Sequence, residues 1–349
     1  MLLRLVIVFF VLQLCVWSEI SNITRGEQKV IDFLGGKPPK VLWIWPKKSV
    51  HNKAKAAERE DTVEKGNTTK FEHTSHPSLW VYSPPKGIKR NGAAVVFCPG
   101  GGYNGMSIRP PSTIVKWMNH LGISVAILKC NAPGSKNDPK KIFPLRDAQR
   151  AMSVLRSKAF EFSIDPNKIG IAGSFLGGHL AFNTTLNHEN RAYKAVDHVD
   201  QVSCRPDFTF LFCPAYLSKN KMRVNEDLNY KLLDSKKTPP IFISIASNDS
   251  FINENYTTMV KIKTSKVPCE FHVSQTGDHG GMFEKYPMME FVRPGIRFLH
   301  RHGIVDAKSI KRSDAWLNLR KEERIFKTLT KIGDSQSLVF HLHICRTKF

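Results

Sequence analysis

From Pro77 to about Gly303 the chain alternates short β-branched or aromatic runs with longer amphipathic stretches. The runs SLWVYS, AAVVFC, SVAILKC, KIGIAG, DFTFLFC, PIFISIAS and CEFHVSQ predict strands. Between them, helical spacing predicts helices over 111–122, 144–162, 177–188, 254–265 and 291–303, the last interrupted by its proline. Such alternation predicts an α/β fold, a mostly parallel central sheet with helices on both faces. Ligands of these sheets bind beyond the carboxyl ends of the strands, so the loops there are where chemistry is expected.

The flanks read differently. Residues 1–18 combine Arg4 with an apolar stretch of signal-peptide length and a Val16-Trp17-Ser18 cleavage pattern. This predicts export, to the periplasm or outside the cell, with no membrane association once the leader is removed. An uncleaved anchor ranks second, because the apolar run is short for a bilayer and contains Gln13. Residues 19–75 read as an N-terminal extension holding one strand-like piece, VLWIWP, and a charged loop; 76–305 is the α/β domain; 306–349 is a basic tail.

A chain of 349 residues with 41% hydrophobic residues is enough for one large α/β core or two small ones. The formal charge of +22 favours acidic partners in principle, but much of the excess lies in residues 47–70 and 308–331, which read as solvated peripheral segments. No zinc-finger spacing, RNA-binding aromatic signature or basic heptad region accompanies it, and nucleic acid is not an expected partner. Cysteines such as Cys98, Cys130 and Cys213 sit in apolar runs and read as small buried hydrophobes, with at most one or two bridges expected overall. Of five N-x-[ST] sequons, those at Asn183 and Asn248 fall beside the strand-end loops and are expected to stay unmodified.

Four strand-end loops carry candidate chemistry. In FCPGGGY, Gly100, Gly101 and Gly102 follow a strand and can turn backbone N–H groups towards a ligand, as an oxyanion hole requires. No G-K-[ST] follows, which argues against a phosphate loop. The stretch KIGIAGSFLGGHLAF has the strand-turn-helix setting of a nucleophile elbow, with Ser174 one place earlier than G-x-S-x-G would put it. Asp249 in SIASNDSFINEN and His279 in VSQTGDHGGMF follow later strands, so a serine, an aspartate and a histidine occur in the chain order of an α/β-hydrolase. Asp147 and Arg150, three apart on one helix, predict a structural ion pair, and His179 a packing residue.

The ordered set HPSLWVYSPP, AAVVFCPGGGY, ILKCNAP, FPLRDAQRAMSVLRSKAFEFSIDPNKIGIAG, GGHLAF, ASNDSFINEN and GDHGG resembles the exported α/β-hydrolase esterases of planctomycete-type bacteria, close to acetyl and acetylxylan esterases. The resemblance implies an α/β-hydrolase fold, no cofactor and no metal, and hydrolysis of small acyl esters or acetylated polysaccharide. It carries over Asp249 and His279 as catalytic residues and the Gly100–Gly102 loop as oxyanion donor. The family's elbow reads G-F-S-A-G-G-H-L where this chain reads GSFLGGHL, so Phe175 stands at the nucleophile position. Asn131 stands where the family tends to have arginine, and Asn248 where it often has aspartate.

Two registers are open at the elbow. Centred on Phe175, the small flanks that a strained apex needs are Gly173 and Gly177; centred on Ser174, they are Ala172 and the bulky Leu176. A phenylalanine at positive φ is itself costly, by roughly 1–3 kcal/mol. With Ser174 at the apex, Ser174, Asp249 and His279 form the triad of a serine-type carboxylic ester hydrolase, with the Phe175 N–H joining the glycine loop as oxyanion donor. With Phe175 there, activity is impaired, or the protein is a catalytically inactive hydrolase fold that binds glycan or an anionic partner.

Overall fold

In the computed structural model, residues 39–318 are described except for 50, 52–60, 66–67, 73, 75, 102, 104, 109–110, 132–137, 139, 220–222, 225–227, 276, 282–287 and 316. Residues 1–18, read as a leader, most of the basic tail, and Gly102 of the glycine loop lie outside the described residues.

In chain order the strands are β1 (Lys40–Trp43), β2 (Asp61–Lys65), β3 (Thr68–Glu72), β4 (Ser78–Tyr82), β5 (Ala94–Cys98), β6 (Met106–Ile108), β7 (Ser124–Lys129), β8 (Ile169–Ser174), β9 (Thr209–Phe212), β10 (Ser218–Lys219), β11 (Arg223–Val224), β12 (Ile241–Ala246) and β13 (Cys269–Ser274). The helices are α1 (Pro111–His120), α2 (Ile142–Ser157), α3 (Leu176–Leu186), α4 (Ile252–Thr264), α5 (Asp278–Gly281) and α6 (Met288–Arg301). Eight strands form one sheet in the order β1-β4-β7-β5-β8-β9-β12-β13. Pairing is parallel from β7 to β13 and antiparallel at β1–β4 and β4–β7. All seven strands expected between Pro77 and Gly303 are present, as are the five helices.

Alternation along each strand divides the core. Phe208, Phe210, Phe212 and Phe242 join Trp117 of α1 and Phe291 and Phe298 of α6 on one sheet face. Ile169, Ile171, Leu211 and Ile243 meet Met152 of α2, Phe182 of α3 and Ile262 of α4 on the other. Burying both faces explains why the strands read as nearly continuous apolar runs. The α6 helix runs through Pro294, where an interruption was expected. Burial of Phe291, Ile296, Phe298 and Leu299 holds the helix across the missing backbone donor.

Two peripheral expectations change. Within the charged stretch read as a loop, β2 and β3 form a hairpin that β6 extends, and Phe71 of β3 is buried against Trp80. Phe71 and, from β6, Met106 join this ribbon to the core beneath the sheet. Residues 307–315, assigned to the tail, are helical, with Ser309, Ser313 and Leu317 buried, so the domain continues past 305. The expected Asp147–Arg150 pair does not form. Arg150 instead binds Asp197 at 2.6 Å and Asp200 at 2.8 Å, while Asp147 accepts Trp45 Nε1–H and the Asn131 N–H, both at 2.8 Å. The thiols of buried Cys98, Cys130 and Cys204 are free.

Candidate active site

The turn between β8 and α3 is built by two glycines. A Cβ on Gly173 would lie 2.0 Å from the Gly177 carbonyl oxygen, and one on Gly177 would lie 2.0 Å from the Cys98 carbonyl oxygen at the end of β5. Only glycine permits this approach of strand, helix and neighbouring strand. The residue midway between them is therefore forced to the apex. That residue is Phe175, with φ 56° and ψ −122°, a conformation rarely adopted by any side-chain-bearing residue.

Ser174 does not reach the apex. It is the last residue of β8, in register with Phe212, and by strand alternation it follows Ala172 on to the face of the first core. Its hydroxyl is fully buried and makes no hydrogen bond. The arrangement with Ser174 as the nucleophile beside His279 is thus not the one the fold adopts, because the glycine contacts set the register. The Phe175 N–H, expected in the oxyanion hole, is committed to the sheet, donating to the Phe212 carbonyl at 3.1 Å. The donor that follows the apex is Leu176, whose N–H opens α3 without an acceptor four residues back.

Asp249 and His279 come together as expected. His279 Nδ1 lies 3.1 and 3.0 Å from the two Asp249 oxygens, and Asp249 is buried with Oδ1 also accepting the Phe251 N–H at 2.9 Å. With Nδ1 engaged, Nε2 is the nitrogen left for proton transfer. The His279 side chain is 32% exposed, so water and ligand can reach it. Asn248 pins this loop by accepting the Asp278 N–H at 2.9 Å, and Asp278 itself sits at φ 35°.

The Phe175 ring lies between the histidine and the glycine loop. Its centroid is 4.7 Å from that of His279, and a Cβ on Gly100 would lie 2.8 Å from Phe175 Cδ2. Gly100 is thus needed to admit the ring. Its carbonyl accepts Ser107 N–H at 2.6 Å, while Gly101, at φ 144°, packs on Gly105. Beyond His279 stand Phe251, at 4.8 Å, and then Tyr216, 4.9 Å from Phe251. Sequence reasoning passed over both, for their signal is spatial. His179 packs as expected, buried with Nδ1 2.8 Å from the Tyr103 hydroxyl. Among the described residues no cluster of three metal-ligating side chains occurs.

The comparisons with known proteins agree with this architecture. The BD-FAE family model matches residues 79–210. The chain is 25% identical to endo-1,4-beta-xylanase B of Butyrivibrio fibrisolvens over 221 residues, 58% of this chain and 34% of that protein. It is 24% identical to an acetylxylan esterase of Xylanibacter ruminicola over 225 residues, 56% of this chain and 43% of that protein. The alignments thus span less than half the length of these curated relatives. An acetyl ester-xyloside bifunctional hydrolase from Caldicellulosiruptor lactoaceticus superposes with TM-score 0.60 at 25% identity, covering 78% of this chain and all of that one. A Thermogutta terrifontis esterase superposes with TM-score 0.59 at 18% identity, covering 79% and 95%. The glycine-built elbow and the Asp249–His279 pair thus stand in an α/β-hydrolase fold that is similar to those of acetylxylan and other esterases.

Proposed function

We propose that this protein is a carboxylic ester hydrolase for short acyl esters, of acetyl-esterase type and acting on acetylated polysaccharide, whose rate is limited by the phenylalanine at its elbow. The observation that carries the reading is the Asp249–His279 pair, held within 3.1 Å at successive strand ends beside the elbow. The printed names of the acetylxylan esterase and the acetyl ester-xyloside hydrolase support the substrate class. The apolar leader at residues 1–18 supports export.

Chemistry follows from the groups present. His279 Nε2 removes a proton from a water molecule as its oxygen bonds to the acyl carbon; Asp249 stabilises the imidazolium. The N–H of Leu176 and the glycine loop hold the oxyanion. Collapse breaks the bond to the alkoxide, which takes the proton back from His279, releasing alcohol and carboxylic acid. Without a covalent nucleophile this route forfeits much of the triad's advantage, leaving about 10³–10⁴-fold over water.

Hydrolysis of p-nitrophenyl acetate tests the reading. Weak turnover that disappears in His279→Ala and persists in Ser174→Ala supports it; turnover indifferent to His279 refutes it. A second reading, favoured by Phe175 at the apex, is a hydrolase-fold binding protein with no turnover above background.

A further inference from the structure

We infer that Tyr216 and Phe251 form a preformed aromatic surface that takes the apolar face of a sugar ring next to the scissile ester. The inference rests on the polysaccharide ester reading above and names the part of the site that would hold the carbohydrate.

Three observations converge. The first is position. Rings follow one another from Phe175 to His279, Phe251 and Tyr216 at centroid spacings of 4.7, 4.8 and 4.9 Å, so the outer pair begins one ring's width from the proton-transfer group. The second is exposure: Tyr216 is 51% exposed although it follows directly on a buried strand loop. The third is backbone strain. Tyr216 sits at φ 59°, a left-handed conformation that is costly for a bulky residue and persists only where its surroundings overdetermine it.

Those surroundings are specific. The Ala215 N–H donates to the Phe175 carbonyl at 3.1 Å, tying the loop to the elbow apex. Asn255 Nδ2 donates to the Pro214 carbonyl at 2.8 Å. Pro214 packs so closely on α3 that a Cβ on Gly178 would lie 2.8 Å from its own Cβ. The Glu254 carboxylate faces the N–H groups of Tyr216, Leu217 and Ser218. Fixed contacts thus aim an exposed, strained ring at the mouth of the site. Rigid aromatic area of this kind binds at low entropic cost, and the C–H face of a pyranose is the matching apolar surface in a polysaccharide ester.

Calorimetric titration with deacetylated xylotetraose tests this without depending on turnover. Wild type and Tyr216→Trp should bind, and Tyr216→Ala should bind about tenfold more weakly. Equal affinity in wild type and Tyr216→Ala, or no binding in any of them, overturns the inference. So does an effect of Tyr216→Ala confined to esters of aromatic acids, which would assign the surface to an acyl group. Tyr216-dependent binding in a protein without His279-dependent hydrolysis would sink the hydrolase reading and leave the aromatic surface standing.

Discussion

Phe175 and His279 meet ring to ring, centroids 4.7 Å apart and planes inclined by 62°, at the point where an elbow serine would meet its base. The acid–base pair is thus assembled around a hydrocarbon. Phe175→Ser places a hydroxyl on the apex while leaving the Asp249–His279 contacts intact, and should raise p-nitrophenyl acetate kcat by 10²-fold or more, with burst kinetics from an acyl-enzyme. The full exchange of both residues should do worse, because Ser174 is completely buried and a phenyl ring there overpacks the core by about 1–3 kcal/mol. A Phe175→Ser variant no faster than wild type would show that the glycine loop no longer supports an oxyanion.

Gly177 carries the elbow's register. Alanine there would drive a methyl group to within 2.0 Å of the Cys98 carbonyl and 2.5 Å of the Pro99 carbonyl, both main-chain atoms that cannot swing aside. Gly177→Ala should therefore cost upwards of about 3 kcal/mol and lower the urea midpoint markedly. Gly87→Ala serves as the comparison: no atom lies within 4 Å of its Cβ position, and its φ of 89° alone should cost less. A mild effect at Gly177 would mean that the turn can relax, and with it the argument placing Phe175 at the apex.

Asp147 links stability to pH. Burial pushes its carboxyl up to about 6, opposed by the Arg146 guanidinium, the Asn131 N–H and the Trp45 N–H. A carboxyl raised from the ordinary range near 4 favours the folded state while protonated, and that contribution is complete below about pH 4 and lost as pH rises through about 6. Two pH units correspond to about 3 kcal/mol. Thermal melts from pH 4 to 7 should show wild type losing ground relative to Asp147→Asn by about this amount. A difference between the two proteins that stays flat with pH would mean that Asp147 is ionised throughout, held by its donors.

What was legible in the sequence follows from what physics writes locally. Apolar runs such as FTFLFC and IFISIA specify buried parallel strands by themselves, and the meeting of Asp249 and His279 was expected because both follow neighbouring strand ends. The hairpin at 61–72 was not legible, for most of its residues are charged or polar and no apolar alternation marks its two strands. The glycine flanks favoured Phe175 at the apex over Ser174 because main-chain contact distances are implicit in Gly-x-x-x-Gly. That the Phe175 N–H is bonded within the sheet was not legible, since which N–H the sheet consumes depends on the Phe212 carbonyl of a neighbouring strand. Tyr216 was invisible for a related reason: a left-handed backbone at a non-glycine residue is imposed by Ala215, Asn255 and Glu254 contacts and leaves no compositional trace.

Asn248 restrains the turn that carries His279. Its side-chain oxygen accepts the N–H of Asp278, a residue at φ 35° directly before His279, so the bond restrains a strained turn whose relaxation would rotate the imidazole. The residue is exposed and contributes little to the core, so Asn248→Ala should lower Tm by no more than a few degrees. In the Phe175→Ser background, where turnover is fast enough to resolve, it should lower kcat about tenfold with KM unchanged, the pattern of a positioning residue. Asn248→Asp keeps an acceptor and should restore most of the rate. A parallel fall in both parameters, or no rescue by aspartate, would instead assign Asn248 to substrate contact.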